Sequence, residues 1–285
     1  MFKSLLSLFL ASTLSLGNYG PYVFHAFDDS SLLSVASIPV KKAEMVAPAP
    51  ISAEAGIAID IESQTVLFQK NSDLKLPIAS LTKLMTAYIT LDEEDPDAIV
   101  TISANAAATP GSRMGLRTGE KITVKNLLYG LLIPSGNDAA VALAEYNAGN
   151  EKEFVKKMNK KARQIGLDQT QYANSTGLDK GESYSTPHDL ALLASYLIRD
   201  NTIREIVRLK SAEVSGHKIE STNTLLGQMG IKGIKTGFTE AAGECLVTLA
   251  VNQASKEVLI VVLGSRDRFL DTKILLDWIY RAYIW

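Results

Sequence analysis

The order of strand and helix signals along the chain is the feature that most limits its fold. Residues 55–60 (AGIAID) and 65–69 (TVLFQ) flank a polar turn, a pattern that predicts a β-hairpin. Strand signals then stop for about 160 residues and return near the other end. The later strands are predicted at 233–236, 244–252 and 258–265. Because strands occur at both ends, we expect the first hairpin to join the later strands in one antiparallel sheet.

The middle of the chain has the spacing of helices. From Ser80 onward, Leu81, Leu84, Met85 and Tyr88 recur at helical intervals, and further apolar residues fill the other faces, as in a buried helix. Other helices are predicted at 124–132, 138–148, 151–165, 187–199 and 269–283. The expected fold class is therefore α+β, with an antiparallel sheet from both chain ends covered by helices and a mostly helical subdomain between them.

The N-terminus has the layout of a secretory signal. A basic start at Lys3 precedes the uncharged apolar stretch 4–16. A helix long enough to span a membrane would have to extend this stretch through Asn18 and Pro21, which are poorly suited to it. We predict a signal peptide over 1–36 with an unassigned cleavage site, and a Pro- and Ala-rich linker over 37–52. The folded domain then covers 53–285. The expected location is extracytoplasmic, with an uncleaved N-terminal membrane anchor or a buried N-terminal helix as alternatives.

The composition limits which side chains could carry out a reaction. The chain has 29 Lys and Arg against 31 Asp and Glu, so its charges nearly cancel. It therefore lacks the overall excess of positive charge that is typical of proteins that bind nucleic acid. One cysteine (Cys245) and three histidines without paired spacing argue against a metal site. We therefore expect no metal or cofactor, and a reaction carried by Ser, Lys, Asp, Glu, Asn or Arg.

A serine nucleophile with a lysine base can be encoded as S-x-x-K, since residues i and i+3 are neighbours on a helix. The pattern occurs at Ser72, Ser80 and Ser215, and only Ser80 opens a long apolar helix. There the helix N-terminus favours developing negative charge, and burial would keep Lys83 neutral enough to act as a base. A simple helix cap with a solvated lysine remains the alternative from this motif alone.

Two further short patterns complete a set. S-x-N occurs three times, and only Ser135 to Asn137 lies between two apolar helices; on its own it also reads as an ordinary turn. Lys235, Thr236 and Gly237 form the one K-T-G, which offers a cation and a hydroxyl at a strand edge to an anionic group. The order S-x-x-K, S-x-N, K-T-G is the set found in penicillin-binding proteins and class A β-lactamases, with Gly136 here at a middle position that is Asp in S-D-N.

Over residues 53–285 the chain resembles the serine D-alanyl-D-alanine carboxypeptidases among the low-molecular-mass penicillin-binding proteins. The resemblance extends to PIASLTKLMTA around Ser80, LLYGLLIPSGNDAA at 127–140 and GIKTGFTEAAGECL at 233–246. It implies a DD-peptidase/β-lactamase-like fold and release of the terminal D-Ala from peptidoglycan stem peptides ending in D-Ala-D-Ala. It also implies that β-lactams act as covalent inhibitors.

The resemblance also implies roles for particular residues. Ser80 would be acylated, Lys83 would take its proton and Ser135 would relay a proton to the leaving amine. The expected substrate-binding residues are Asn137, Lys235, Thr236, Phe238 through its backbone N–H, and Arg268 near the substrate carboxylate.

Several alternatives stay open at this stage. A D,D-endopeptidase would use the same residues on peptidoglycan cross-links. A class A β-lactamase would need a carboxylate four residues before Asn174, where this chain has Thr170. A non-catalytic module that binds peptidoglycan or β-lactams would be expected to lack a catalytic group. Many members of the resembled group end in a membrane-binding amphipathic helix, which we do not expect in a chain whose last predicted helix is followed only by Ile284 and Trp285.

Overall fold

The structure is a computed structural model that describes residues 38–45, 47–48, 50–179 and 182–285. The predicted signal peptide lies outside the described residues. The helices are α1 (Lys83–Glu93), α2 (Ala104–Ala108), α3 (Val124–Leu132), α4 (Asn137–Ala148), α5 (Glu151–Gln164), α6 (Pro187–Leu197), α7 (Asn201–Val207) and α8 (Arg268–Ala282). The strands are β1 (Val40–Lys41), β2 (Ala55–Asp60), β3 (Val66–Lys70), β4 (Leu76–Pro77), β5 (Ile99–Thr101), β6 (Lys121–Thr123), β7 (Tyr184–Ser185), β8 (Ser211–Val214), β9 (His217–Glu220), β10 (Ile231–Thr239), β11 (Gly243–Val251), β12 (Glu257–Ser265) and β13 (Tyr283–Ile284).

Both ends of the folded chain build the central sheet. Its strand order is β10-β11-β12-β2-β3, and every neighbouring pair is antiparallel. The first hairpin joins the later strands where β12 pairs with β2, with Leu259 opposite Ile59. The predicted α+β architecture is confirmed.

Side chains alternate between two apolar cores across this sheet. Leu259 and Val261 of β12 face the larger core formed with the central helices, whereas Val258 and Ile260 face a smaller core formed with α8. This period-two alternation explains why β12 reads as an unbroken apolar run, because both of its faces are covered. Each such side chain contributes about 1.5–3 kcal/mol by its removal from water.

The central helices match the predicted ones closely, with one difference that concerns Ser80. Ala79–Thr82 form a 3₁₀ turn, and α1 begins at Lys83 rather than at Ser80. Ala79 has φ +46°, which the periodicity of side chains does not reveal. The predicted cap of α6 is confirmed, since the Thr186 hydroxyl accepts a hydrogen bond from the Asp189 N–H and Pro187 opens the helix.

The hairpin β8–β9 and the helix α7 were not predicted. The hairpin turns through Ser215 (φ +51°) and Gly216 (φ +79°), the positive-φ pair of a two-residue turn. The Ser-Gly pair was the available signal, but the flanking strands have four residues each and half-polar surfaces. Short elements of this kind carry too little periodicity to be recognised.

Part of the predicted linker lies against the folded body. In β1, Val40 pairs with Ile284, and the Lys42 N–H donates to the Ala282 carbonyl at 2.8 Å. The division of the chain at residue 52 stays a prediction. Among the described residues, no helix has the length and apolar character required to cross a bilayer.

Candidate active site

Ser80 is presented by the 3₁₀ turn that leads into α1. The segment 177–178 supports this turn from behind, so closely that a Cβ on Gly177 would lie 1.9 Å from the Ala79 carbonyl oxygen. Gly177 has φ +80°, a conformation that glycine adopts without strain. The hydroxyl of Ser80 is thus held at the N-terminal end of a buried helix, where backbone N–H groups and the helix dipole favour negative charge.

Lys83 lies one turn further on and is completely buried. Its Nζ is 2.8 Å from Ser80 Oγ and donates to the Thr176 carbonyl at 2.7 Å. Burial lowers the pKa of Lys83 well below its usual value; Lys235 lowers it further, and Asp138 opposes the shift. A neutral amine within hydrogen-bond distance of a serine hydroxyl can act as a general base.

The loop between α3 and α4 brings Ser135 and Asn137 to the same place. Ser135 is buried with φ +62°, and its Oγ accepts a hydrogen bond from Lys235 Nζ at 2.8 Å. Asn137 is fixed by two hydrogen bonds, from its N–H to the Ser112 carbonyl and from its Nδ2 to the Pro110 carbonyl, each 2.7 Å. The buried Asn137 Oδ1 has no hydrogen-bond partner among the residues that the structure describes, so it is free to accept from a ligand.

Strand β10 lies opposite the loop that carries Ser135, and it supplies Lys235 and Thr236 to the site. Lys235 is buried, and burial together with the charge of Arg268 lowers its pKa to about 7. The hydroxyl of Thr236, one residue on, is 2.5 Å from the hydroxyl of Thr222. Lysine and threonine thus offer a cation and a hydroxyl side by side, which suits a carboxylate.

The strand continues past Ser80 at close range. A Cβ on Gly237 would lie 3.3 Å from the Ser80 nitrogen and 3.0 Å from the Ile78 carbonyl oxygen, so any larger residue would require the Ser80 turn to shift by a few tenths of an ångström. Phe238 follows with a side chain that is 60% exposed. The predicted role of Phe238 uses its backbone N–H, which does not depend on where this side chain lies.

Arg268, at the start of α8, lies behind β10. Its Nη1 donates to the Gly237 carbonyl at 2.9 Å and is 3.9 Å from Glu244 Oε1. The guanidinium thereby holds the strand beside Lys235 and adds positive charge there, in addition to the role at the substrate carboxylate that the resemblance implies.

Several contributors to the site had no motif to reveal them. The Thr176 carbonyl reaches Lys83 because Asn174 Oδ1 accepts from the N–H groups of Thr176 and Gly177 and so shapes that loop.

Two residues from the sequence patterns lie outside this arrangement. Thr170, which stands where a class A β-lactamase would have a carboxylate, donates its hydroxyl to Asp189 Oδ2 at 2.7 Å. Ser72, the half-buried serine of the first S-x-x-K pattern, donates its hydroxyl to its neighbour Asp73.

A cavity of about 330 Å³ opens beside Ala79, the residue before Ser80. Gly177, Tyr184 and Ala241 are among the other residues that line it. Ala241 lies just past the end of β10 at Thr239, whereas Lys235 precedes Gly237, the residue of the strand that approaches Ser80. Within the described residues no cluster of three or more His, Cys, Asp or Glu side chains is arranged to bind a metal ion.

Comparisons with known proteins agree with this geometry. The sequence model of the D-alanyl-D-alanine carboxypeptidase family matches residues 42–267. The chain is 35% identical to D-alanyl-D-alanine carboxypeptidase DacF of Bacillus subtilis, over 88% of this chain and 69% of that protein. It is 38% identical to D-alanyl-D-alanine carboxypeptidase DacC of Escherichia coli, over 85% of this chain and 64% of that protein.

Solved structures give the same result. A point mutant of the Streptomyces K15 DD-transpeptidase superposes with a TM-score of 0.76 at 34% identity, covering 82% of this chain and 99% of that one. Penicillin-binding protein 6B of Escherichia coli gives 0.77 at 33% identity, covering 83% and 80%. The chain belongs to the D-alanyl-D-alanine carboxypeptidase family.

Proposed function

We propose that this protein removes the terminal D-Ala from peptidoglycan stem peptides through an acyl-enzyme on Ser80. The observation that carries the proposal is the buried Lys83 amine, which lies 2.8 Å from Ser80 Oγ. Membership of the D-alanyl-D-alanine carboxypeptidase family supports the choice of substrate.

In the first step the Ser80 hydroxyl attacks the carbonyl carbon of the last peptide bond. Its proton passes to Lys83 Nζ, and the oxyanion is stabilised by the backbone N–H groups of Ser80 and Phe238. The bond to the terminal D-Ala then breaks, and Ser135 relays a proton to the leaving amine. An ester joins the shortened peptide to Ser80.

In the second step water hydrolyses this ester. The oxygen of water bonds to the acyl carbon, the Ser80 oxygen leaves with a proton, and the shortened peptide departs as a carboxylic acid. The hydroxyl of Ser80 and the neutral amine of Lys83 are thereby restored.

Recognition of the substrate depends on its terminal carboxylate. Lys235 and Thr236 lie on the wall that faces Ser135, where they can hold this group, and Arg268 adds positive charge behind them. Asn137 Oδ1 is free to accept the N–H of the substrate backbone. A β-lactam, which carries a carboxylate next to a strained amide, would acylate Ser80 through the same contacts.

The substrate and the N-terminal pattern support a location outside the cytoplasm. Peptidoglycan lies there, and residues 1–16 have a basic start and an apolar stretch typical of export. We therefore propose that the enzyme is exported and acts in the periplasm or the cell-wall space.

The proposed function is tested with purified muropeptides. We expect wild-type protein to release D-Ala from a pentapeptide and Ser80→Ala to release none while keeping its circular dichroism spectrum and Tm. Ser72→Ala is the matched control, because Ser72 also begins an S-x-x-K pattern but its hydroxyl donates to the neighbouring Asp73 rather than lying beside a buried lysine. Turnover by folded Ser80→Ala would refute the proposal.

The products also separate related activities. Loss of one D-Ala from the pentapeptide indicates a carboxypeptidase, whereas cleavage of cross-linked dimers as the preferred substrate indicates an endopeptidase. We expect the pentapeptide to give the higher kcat/KM.

A further inference from the structure

Asp138 is a buried carboxylate that the proposed reaction does not use. It is fully buried in the first turn of α4, directly after Asn137. Buried carboxylates are costly unless hydrogen bonds compensate for the water that they lose. The partners of Asp138 therefore indicate what it does.

The carboxylate accepts hydrogen bonds from four backbone N–H groups. Oδ1 accepts from Met114 and Ala139, each at 2.9 Å, and Oδ2 accepts from Gly115 at 2.8 Å and Leu116 at 3.1 Å. Three of these donors, at positions 114–116, end the segment 110–116, which lies more than twenty residues earlier in the chain. Hydrogen bonds to an ionised acceptor are about twice as strong as neutral ones, so Asp138 fastens this segment to the start of α4.

The same segment holds Asn137 in place. The carbonyl oxygens of Pro110 and Ser112 accept the two hydrogen bonds that fix the side chain and the backbone of Asn137. Met114 is packed against Gly130 of α3, where a Cβ would lie 2.3 Å from its sulfur. The segment is thus clamped between α3 and α4, the helices that flank the loop of Ser135.

Asp138 lies close to the glycine in the middle of the S-x-N pattern. A Cβ on Gly136 would lie 2.6 Å from the Gly130 carbonyl oxygen, 2.8 Å from Asp138 Oδ1 and 3.1 Å from the Met114 nitrogen. The Gly130 carbonyl and the Asp138 carboxylate together leave no room for a side chain. The carboxylate therefore lies directly beneath the loop that carries Ser135 and Asn137.

We propose that Asp138 is a positioning residue for the reaction: by holding segment 110–116 against the 135–137 loop, it sets the Ser135 hydroxyl and the Asn137 amide relative to Ser80. The charged groups around it are Arg113, whose Nε is 3.9 Å from Oδ2, and Lys83, on which it acts through its charge. The inference rests on the roles proposed for Ser135 and Asn137.

The direct test is Asp138→Asn in the full-length protein. The amide keeps the volume but replaces one acceptor oxygen with a donor that faces backbone N–H groups, so the segment must shift. A displacement of about 1 Å can reduce a rate about 100-fold, and we expect a fall of that order in kcat for D-Ala release. KM should rise much less than kcat falls: displacement of Asn137 weakens one contact with the substrate, whereas Lys235 and Thr236, which hold its carboxylate, remain on β10.

Asp271→Asn is the matched control. Asp271 is also a buried carboxylate, on α8, and it accepts from the Ser52 and Ala53 N–H groups and the Ser265 hydroxyl. We expect Asp271→Asn to lower Tm while kcat per mole of folded protein stays near the wild-type value. A kcat of Asp138→Asn no lower than that of Asp271→Asn, or a loss confined to KM, would overturn the proposal.

A second variant covers the case in which Asp138→Asn does not fold. Gly136→Ala leaves the carboxylate in place and presses a methyl group against it, so it should also lower kcat with KM retained. Full activity of folded Gly136→Ala would contradict the proposal. Ser135→Ala distinguishes failure of the role proposed for Ser135 from failure of the role proposed for Asp138. If Ser135→Ala remains active, the role proposed for Ser135 is wrong. If Ser135→Ala is inactive while Asp138→Asn is active, only the role proposed for Asp138 is wrong.

Discussion

At the scale of single residues, the site depends on two buried lysines that need opposite protonation states. In the reaction that we propose, Lys83 must be neutral to take the proton of Ser80, and Lys235 must be charged to hold a carboxylate. Burial lowers the pKa of both. Lys235 also lowers the pKa of Lys83, so the cation of the substrate site helps to keep the base neutral.

This arrangement predicts a bell-shaped dependence of kcat/KM on pH. The value should rise as Lys83 loses its proton with increasing pH, and fall as Lys235 of the free enzyme loses its proton near the pKa of about 7. A bound substrate carboxylate favours the charged form of Lys235, so the falling limb of kcat should lie at higher pH. Steady-state kinetics between pH 5 and 10 would measure both limbs.

The variant Lys235→Arg tests whether the falling limb of the pH profile is due to Lys235. An arginine stays charged throughout this pH range, so the falling limb of kcat/KM should disappear even if the variant is slower. A falling limb that remains in Lys235→Arg at the wild-type position would show that another group controls it.

At the scale of elements, the position of Ser80 depends on the contact between its 3₁₀ turn and the loop at 174–178. Gly177→Ala should displace the Ala79 carbonyl, since the new methyl group would lie 1.9 Å from that oxygen. We expect kcat to fall about 100-fold. Steady-state kinetics on the pentapeptide, together with a thermal melt, would measure the effect.

Gly149→Ala is the control for backbone strain. Gly149 has a similar φ of +78°, but nothing lies within 4 Å of its Cβ position. It should cost about 1 kcal/mol of stability and leave kcat unchanged. Equal losses of kcat in the two variants would mean that strain, rather than displacement of the Ser80 turn, is responsible.

At this scale, the sequence could predict the features whose interacting residues are close together along the chain. The hairpin at 55–69 and the cap at Thr186 are local, so composition and spacing were sufficient to find them. The 3₁₀ turn before α1 and the Thr176 carbonyl on Lys83 depend on a contact between segments more than ninety residues apart. No local pattern encodes such a contact. Thr222 and Asp138 were missed for the same reason, because their roles come from partners on other elements.

At the scale of the whole molecule, the sheet ties the two ends of the chain together. β2 from the first part of the domain pairs with β12 from the last part, and β11 is enclosed between β10 and β12. The order of strands and helices was enough to predict this architecture, because few folds place strands at both ends with helices between. The β-strands of the site cannot open without disturbing this sheet.

The single cysteine provides a probe of this cooperativity. Cys245 is buried in β11 opposite Gly237, and burial raises its pKa to about 11. We therefore expect a thiol-specific reagent to label native protein only at the rate of global unfolding, with a steep increase in urea. Rapid labelling of fully active protein would contradict this, since it would show that β11 opens locally.

Formation of an acyl-enzyme on Ser80 is observable by mass spectrometry of the penicillin adduct. After brief incubation with benzylpenicillin and digestion with trypsin, we expect one modified peptide spanning residues 76–83, with fragmentation placing the adduct on Ser80 rather than on Thr82. Ser80→Ala should give no adduct, and Ser72→Ala should give the wild-type result. An adduct on Ser135 or on any other residue, or an adduct that persists in Ser80→Ala, would show that Ser80 is not the residue acylated.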